Sequence, residues 1–151
     1  MDWAFDITTK NRILLERFID YHSLKELNTV PEGFGNNMIW NIAHTIVTQQ
    51  LLVYNLSGLP MLVSDELVAT YRKGTKVERD VSQAEVDVIK SLLFSTLEQT
   101  KKDYNSKIFK TYTSYTTSTD STITSVEDAI AFNNFHEGIH LGYILAMRKS
   151  L

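Results

Sequence analysis

Residues 37–56 read NMIWNIAHTIVTQQLLVYNL, and Gly58 and Pro60 follow almost at once. Trp40, Ala43, His44, Val47, Leu51 and Tyr54 recur at i, i+3, i+4 and i+7 spacing. That is the period of one helix face turned toward a core. Asn36 or Asn37 can act as the N-cap, and Gly58 with Pro60 supplies the stop. The spacing therefore predicts a helix over about Asn37–Leu56.

Working outward from it, the segment Asn28–Gly35 holds Pro31, Gly33 and Gly35 and reads as a loop. Before that loop, Ile13, Leu14, Phe18 and Tyr21 recur at helical spacing around a solvated Arg17, which predicts a first helix over about Thr8–Tyr21. After the central helix, about Leu59–Val81 forms a long connection with room for a short helix near Ser64–Tyr71. Ser82-Gln83-Ala84-Glu85 is a capping box, and Val86, Ile89, Leu92, Leu93 and Leu97 continue a third helix to about Tyr104.

Eleven of the fifteen residues from Thr111 to Ser125 are Ser or Thr. Such side chains compete for helix hydrogen bonds and favour extended backbone. The segment reads as a solvated loop or a short hairpin turning near Ser118–Ser121, with a lid over a pocket as the alternative. A last helix opens with Thr124-Ser125-Val126-Glu127 and runs to about Lys149, where Arg148 and Lys149 suit the negative end of its dipole. Four long helices with a long connection between the second and third imply an all-α four-helix bundle whose middle pair runs parallel. Residues 1–151 are expected to form one domain.

Composition narrows the function. The chain has 43% hydrophobic and 22% charged residues, with a net charge of -3. This is ordinary globular usage, without the basic stripe a nucleic-acid binder carries. Tyr104, Tyr112 and Tyr115 lack the basic neighbours of an RNA-stacking surface. With no cysteine, a disulfide, a thiolate nucleophile and a thiolate metal site are all excluded, and a cytoplasmic location is expected. The N-terminus lacks the pattern of a signal peptide. The most apolar run, Leu51–Val63, is broken by Asn55, Ser57, Gly58 and Pro60, so no membrane span is expected.

The chemistry centres on histidine. His136 and His140 are four residues apart and so lie about 40° apart on one helix face, close enough to reach one metal ion. They share a stripe with Ala129 and Met147 that should face the bundle interior, while Glu137 projects about 80° away. His44 lies on the inward stripe of the central helix. Three imidazoles would then converge from two helices, and burying them without partners is costly. A shared divalent ion would satisfy all three and leave room for water or substrate; the alternative for each is a core histidine satisfied by a protein neighbour. His22 reads as a helix-end or surface residue, and Glu16, Asp20 and Glu26 as a solvated face. Trp40 and Tyr54 read as core, or as the mouth of a pocket. Asn41, Thr48 and Asn133 lie near the histidine stripes and could hold supporting waters. No G-x-S-x-G, phosphate loop or G-x-G-x-x-G occurs.

The Trp40-Asn-Ile-Ala-His44 segment after a Pro/Gly-bearing loop, the His136-Glu-Gly-Ile-His140 segment in the last helix, and the four-helix spacing over nearly the whole chain resemble the DinB/YfiT-like superfamily of small metalloproteins. The resemblance implies an up-down-down-up bundle with a long crossover between helices 2 and 3. It implies that His44, His136 and His140 are the metal ligands, with zinc or nickel as the ion, and a possible homodimer. Some relatives are S-transferases or isomerases that use a low-molecular-weight thiol, and others have been described as metal-dependent hydrolases. The expected activity is thus metal-dependent thiol transfer to a small-molecule electrophile. The alternatives are hydrolysis, with Glu137 or Asp120 as candidate acid or base, and a non-catalytic, metal-stabilised ligand-binding bundle.

Overall fold

Asn37 caps the central helix: its side chain accepts the Trp40 N–H at 2.9 Å, satisfying a donor that the first turn leaves free. In the computed structural model, which describes residues 1–151, that helix is α3, Met38–Val53. It follows α1 (Asp2–Tyr21) and α2 (Leu24–Asn28) and precedes α4 (Asp65–Tyr71), α5 (Gln83–Asn105), a two-stranded hairpin of β1 (Tyr115–Thr116) and β2 (Thr122–Ile123), and α6 (Val126–Met147). Nearly every residue of α3 is buried. A helix apolar on most of its circumference has to run through the centre of the molecule.

The four long helices α1, α3, α5 and α6 form the bundle, and pairwise contacts give their directions. In α1 and α6, Thr8 bonds Asn134 and Arg12 bonds Glu137, so the two helices run parallel. In α3 and α5, Gln49 bonds Thr100 and Tyr54 bonds Asp103, again parallel. Across α1 and α5, Lys90 pairs with Asp20 while Phe5 packs on Tyr104, so these two are antiparallel. The order is therefore up-down-down-up, as the resemblance implied. The connection from Tyr54 to Ser82 is the crossover that makes it possible. It contains α4, capped by Ser64, whose hydroxyl accepts from Leu67 N–H. Ser82 and Glu85 form the expected capping box of α5. No helix is long and apolar enough to cross a membrane.

Several boundaries and faces differ from the sequence reading. α1 begins at Asp2, six residues before Thr8, and its buried face is Phe5, Thr8, Arg12, Leu15, Phe18 and Ile19. Ile13, Leu14 and Tyr21 point outward. Two polar residues in the buried stripe, Thr8 and Arg12, hide it from a pattern search based on hydrophobicity. Leu24–Asn28 is helical because Ser23 and Glu26 make a capping box, so the loop is shorter than Asn28–Gly35 and its entry suggested. α3 ends at Val53 and continues as a 3-10 turn over Asn55–Ser57, closed by Gly58 at φ 69°. That left-handed conformation suits glycine. The N-cap of α6 is Ser125, one residue after the Thr124 at which the sequence reading opened the helix, with Asp128 accepting from the Thr124 N–H at 3.0 Å. α6 ends at Met147, and Arg148 and Lys149 lie in a final 3-10 turn.

Candidate metal centre

The inward stripe of α3 and the i, i+4 pair on α6 meet where the two antiparallel helices cross. Ring centroids of His44 lie 5.1 Å from His136 and 4.8 Å from His140, and the latter two are 4.6 Å apart. One ligand atom from each of the three can be chosen so that all lie within 4.8 Å of one another, a group that could hold a metal ion.

The surrounding hydrogen bonds set the tautomers. His44 Nδ1 is 2.6 Å from the Tyr71 carbonyl oxygen, which can only accept, so Nδ1 carries the proton and Nε2 keeps its lone pair. Tyr71 ends α4, and the last carbonyls of a helix lack intrahelical partners. The crossover thus supplies the group that orients the first histidine. Asn41 Nδ2 donates to the Asn37 carbonyl at 2.8 Å, which turns Asn41 Oδ1 toward His140 Nδ1 at 2.9 Å. His140 Nε2 is therefore also left with a lone pair. It faces His136 Nε2 at 3.2 Å. Two nitrogens at ~2.0–2.1 Å on one tetrahedral ion sit about 3.3 Å apart, so this pair has the spacing of two ligands. The residues fit a divalent cation bound by three imidazole nitrogens.

Burial favours the same state. It pushes His136 down to about 3, helped by His140, His44 and Arg12, and His140 down to about 4, helped by His44. His44 is lowered too, chiefly by burial. The downward shift of all three favours the neutral imidazole, the form a ligand takes. Trp40 stacks on His44 with centroids 4.7 Å apart and planes 11° apart, and its Nε1 donates to Thr75 Oγ1 at 3.2 Å. The Thr48 hydroxyl lies 3.3 Å from His44 Nε2.

Other expected participants fall elsewhere. Glu137 is fully buried under the triad and committed to α1. Its Oε1 accepts from Arg12 Nε at 2.8 Å and from Asn133 Nδ2 at 2.9 Å, with Arg12 Nη2 2.7 Å away. Asp120 sits at the hairpin turn with φ 58°, outside the cavity beside the histidines. His22 accepts its expected place at the end of α1, with Nδ1 2.8 Å from the Phe18 carbonyl. Tyr54 is core, its hydroxyl donating to Asp103 at 2.6 Å. Glu16 and Asp20 face Lys90, and Glu26 caps α2.

A cavity of about 320 Å³ opens beside His44 and His136. Its walls are side chains of α3 and α6, among them Thr48, Leu51, Phe132 and Phe135, the 3-10 turn at Asn55 and Leu56, the loop at Lys73, and the hairpin residues Tyr115 and Thr117–Thr119. The Ser/Thr-rich segment thus forms the hairpin, and the hairpin forms one wall of this cavity. It is held in place by Tyr112, whose hydroxyl donates to Leu52 O at 2.9 Å, by Thr113 N–H to Leu56 O at 2.7 Å, and by the buried Ile123. A larger cleft of about 520 Å³ on the far side of Trp40 contains none of the three histidines.

A model of the DinB superfamily matches residues 7–144. Among solved structures, that of a conserved protein from Enterococcus faecalis is similar, with a TM-score of 0.68 and 13% identity over 98% of this chain and 94% of that one. At such identity the likeness speaks for the fold alone. No curated protein matches the sequence.

Proposed function

The chain belongs to the DinB superfamily through residues 7–144, and from that premise we propose that His44, His136 and His140 hold one zinc or nickel ion in a transferase that activates a low-molecular-weight thiol. The observation that carries this reading is the makeup of the cavity wall. Its ionisable groups are His44, His136, Lys73 and Tyr115. Once the histidines serve as ligands, the wall is left with an amine and a phenol and contains no carboxylate. The chain also contributes no thiol of its own. The nucleophile then comes from outside the chain, as a thiol or as water, and the thiol-using relatives named above favour the thiol.

When bound, a divalent cation stabilises the thiolate over the thiol at neutral pH. The chain's own residues do the rest. The Tyr71 carbonyl and Asn41 fix the His44 and His140 rings, and Leu51, Phe132 and Phe135 give an apolar surface beside them. The thiol proton leaves to solvent, the sulfur lone pair forms a carbon–sulfur bond, and the leaving group departs with the electron pair of the broken bond.

The test is turnover of an aryl chloride by zinc- or nickel-loaded protein, followed with and without added cysteine as the thiol. Chloride release above the uncatalysed rate is expected only when both metal and thiol are present. Release without any thiol would instead establish hydrolysis. Metal binding that raises the melting temperature by mass action, with no turnover of any electrophile tried, would leave the non-catalytic bundle.

A further inference from the structure

The loop that follows α4 does more than present the Tyr71 carbonyl. Two residues later Lys73 enters the wall of the histidine cavity, and no Asp or Glu lies within ion-pairing distance of it. Its backbone is pinned on both sides. Arg72 N–H donates to Val68 O at 3.0 Å, Gly74 turns the chain at φ 92°, and Thr75 N–H donates to Arg72 O at 3.2 Å. Thr75 in turn accepts from the Trp40 indole that stacks on His44. The Lys73 backbone is therefore held in fixed relation to the triad, while its side chain is exposed and its ammonium makes no ion pair.

The other walls divide by chemistry. Leu51, Leu56, Phe132 and Phe135 offer an apolar body site, and Thr117, Ser118 and Thr119 offer hydroxyls from the hairpin. At about 320 Å³ the cavity is near the lower end of small-molecule sites. Its lining contains no carboxylate, so the fixed side-chain charge there is positive, and a bound divalent ion adds to it. A cavity of one charge sign with low-dielectric walls concentrates the opposite charge.

We infer that Lys73 is a specificity-determining residue and that the cavity takes a small anion: a ligand with a metal-binding head, an apolar body and a carboxylate placed against the Lys73 ammonium. The assignment rests on the metal-and-thiol reading above, and it adds the charge and shape of the ligand.

Two probes separate the contributions. 2-Mercapto-3-phenylpropanoate and 2-phenylethanethiol share a thiol and a phenyl group and differ by one carboxylate. Binding is read on cobalt(II)-loaded protein from the sulfur-to-cobalt charge-transfer absorption. The wild type should bind the carboxylate probe roughly 3- to 5-fold more tightly than the neutral one, the size of effect an exposed ion pair gives. In Lys73→Met that preference should fall to about unity while the neutral thiol is bound within about 2-fold of wild type, and Lys73→Arg should retain the preference. Bands from both thiols with the same preference in wild type and Lys73→Met would overturn the assignment alone. Cobalt uptake with no band from either thiol would overturn the thiol reading and this assignment with it.

Discussion

Replacing any one of His44, His136 and His140 by Ala should remove most of the bound metal. The protein offers three ligand nitrogens, and losing one leaves a two-ligand site that dialysis should strip to below roughly a tenth of wild-type occupancy. The double variant His136→Ala/His140→Ala should hold none. Metal content by mass spectrometry, on protein purified without an affinity tag or chelator, reads the effect directly. The variants should still fold. The bundle is built from two apolar clusters, one around Leu15, Ile39, Ile46 and Leu93 and one around Phe5, Val53 and Ile130, and the substitutions leave those side chains unchanged. A melting curve on metal-free samples therefore distinguishes loss of ligand from loss of fold. Stoichiometric metal retained in all three single variants would refute the assignment.

The second large effect lies just beneath the triad. Arg12 and Glu137 are both wholly buried and paired across α1 and α6. Arg12→Met alone strands the Glu137 carboxylate in the core, and Glu137→Leu alone strands the guanidinium. Either should cost about 3–5 kcal/mol in chemical denaturation, because removing one partner leaves an uncompensated buried charge. The double variant Arg12→Met/Glu137→Leu should recover most of that loss, since an apolar pair of similar volume replaces an ion pair whose desolvation was itself costly. Strict additivity of the two single effects would show that the pair is not coupled. The pair also bears on the metal centre, because Glu137 follows His136 on α6 and the Arg12 charge adds to the downward shift of that imidazole.

How far the site could be read in advance depended on what kind of group was involved. The convergence of His44 with His136 and His140 was legible because helical periodicity puts side chains on faces, and the faces of α3 and α6 both had to point inward. The up-down-down-up order was legible from one long gap between helices and the family resemblance. The hairpin announced itself through Ser and Thr. The partners of the histidines were harder. The Tyr71 carbonyl is a backbone group and has no residue signature, although a helix ending in the crossover was foreseeable. Asn41 was visible on the correct stripe, and its role became clear only once Asn37 O fixed its amide. Arg12 was missed because a guanidinium inside an apolar stripe reads as the solvated side of a helix. The buried face of α1 was misplaced for the same reason. Lys73 carries no pattern at all; it depends on how the crossover folds back over α3.

The stacking of Trp40 on His44 has an optical consequence. The chain has only two tryptophans. Trp3 is 76% exposed, and Trp40 is 7% exposed with its ring parallel to the His44 imidazole. Their emission should separate into a solvent-relaxed component from Trp3 and a blue-shifted one from Trp40. A closed-shell zinc ion on His44 has no low-lying electronic states to accept that excitation, whereas open-shell nickel does. Titration with nickel should dim the blue component and leave the red one, while zinc should leave both bright. Emission would then gauge which ion the three histidines take up on loading, with the exposed indole as an internal standard.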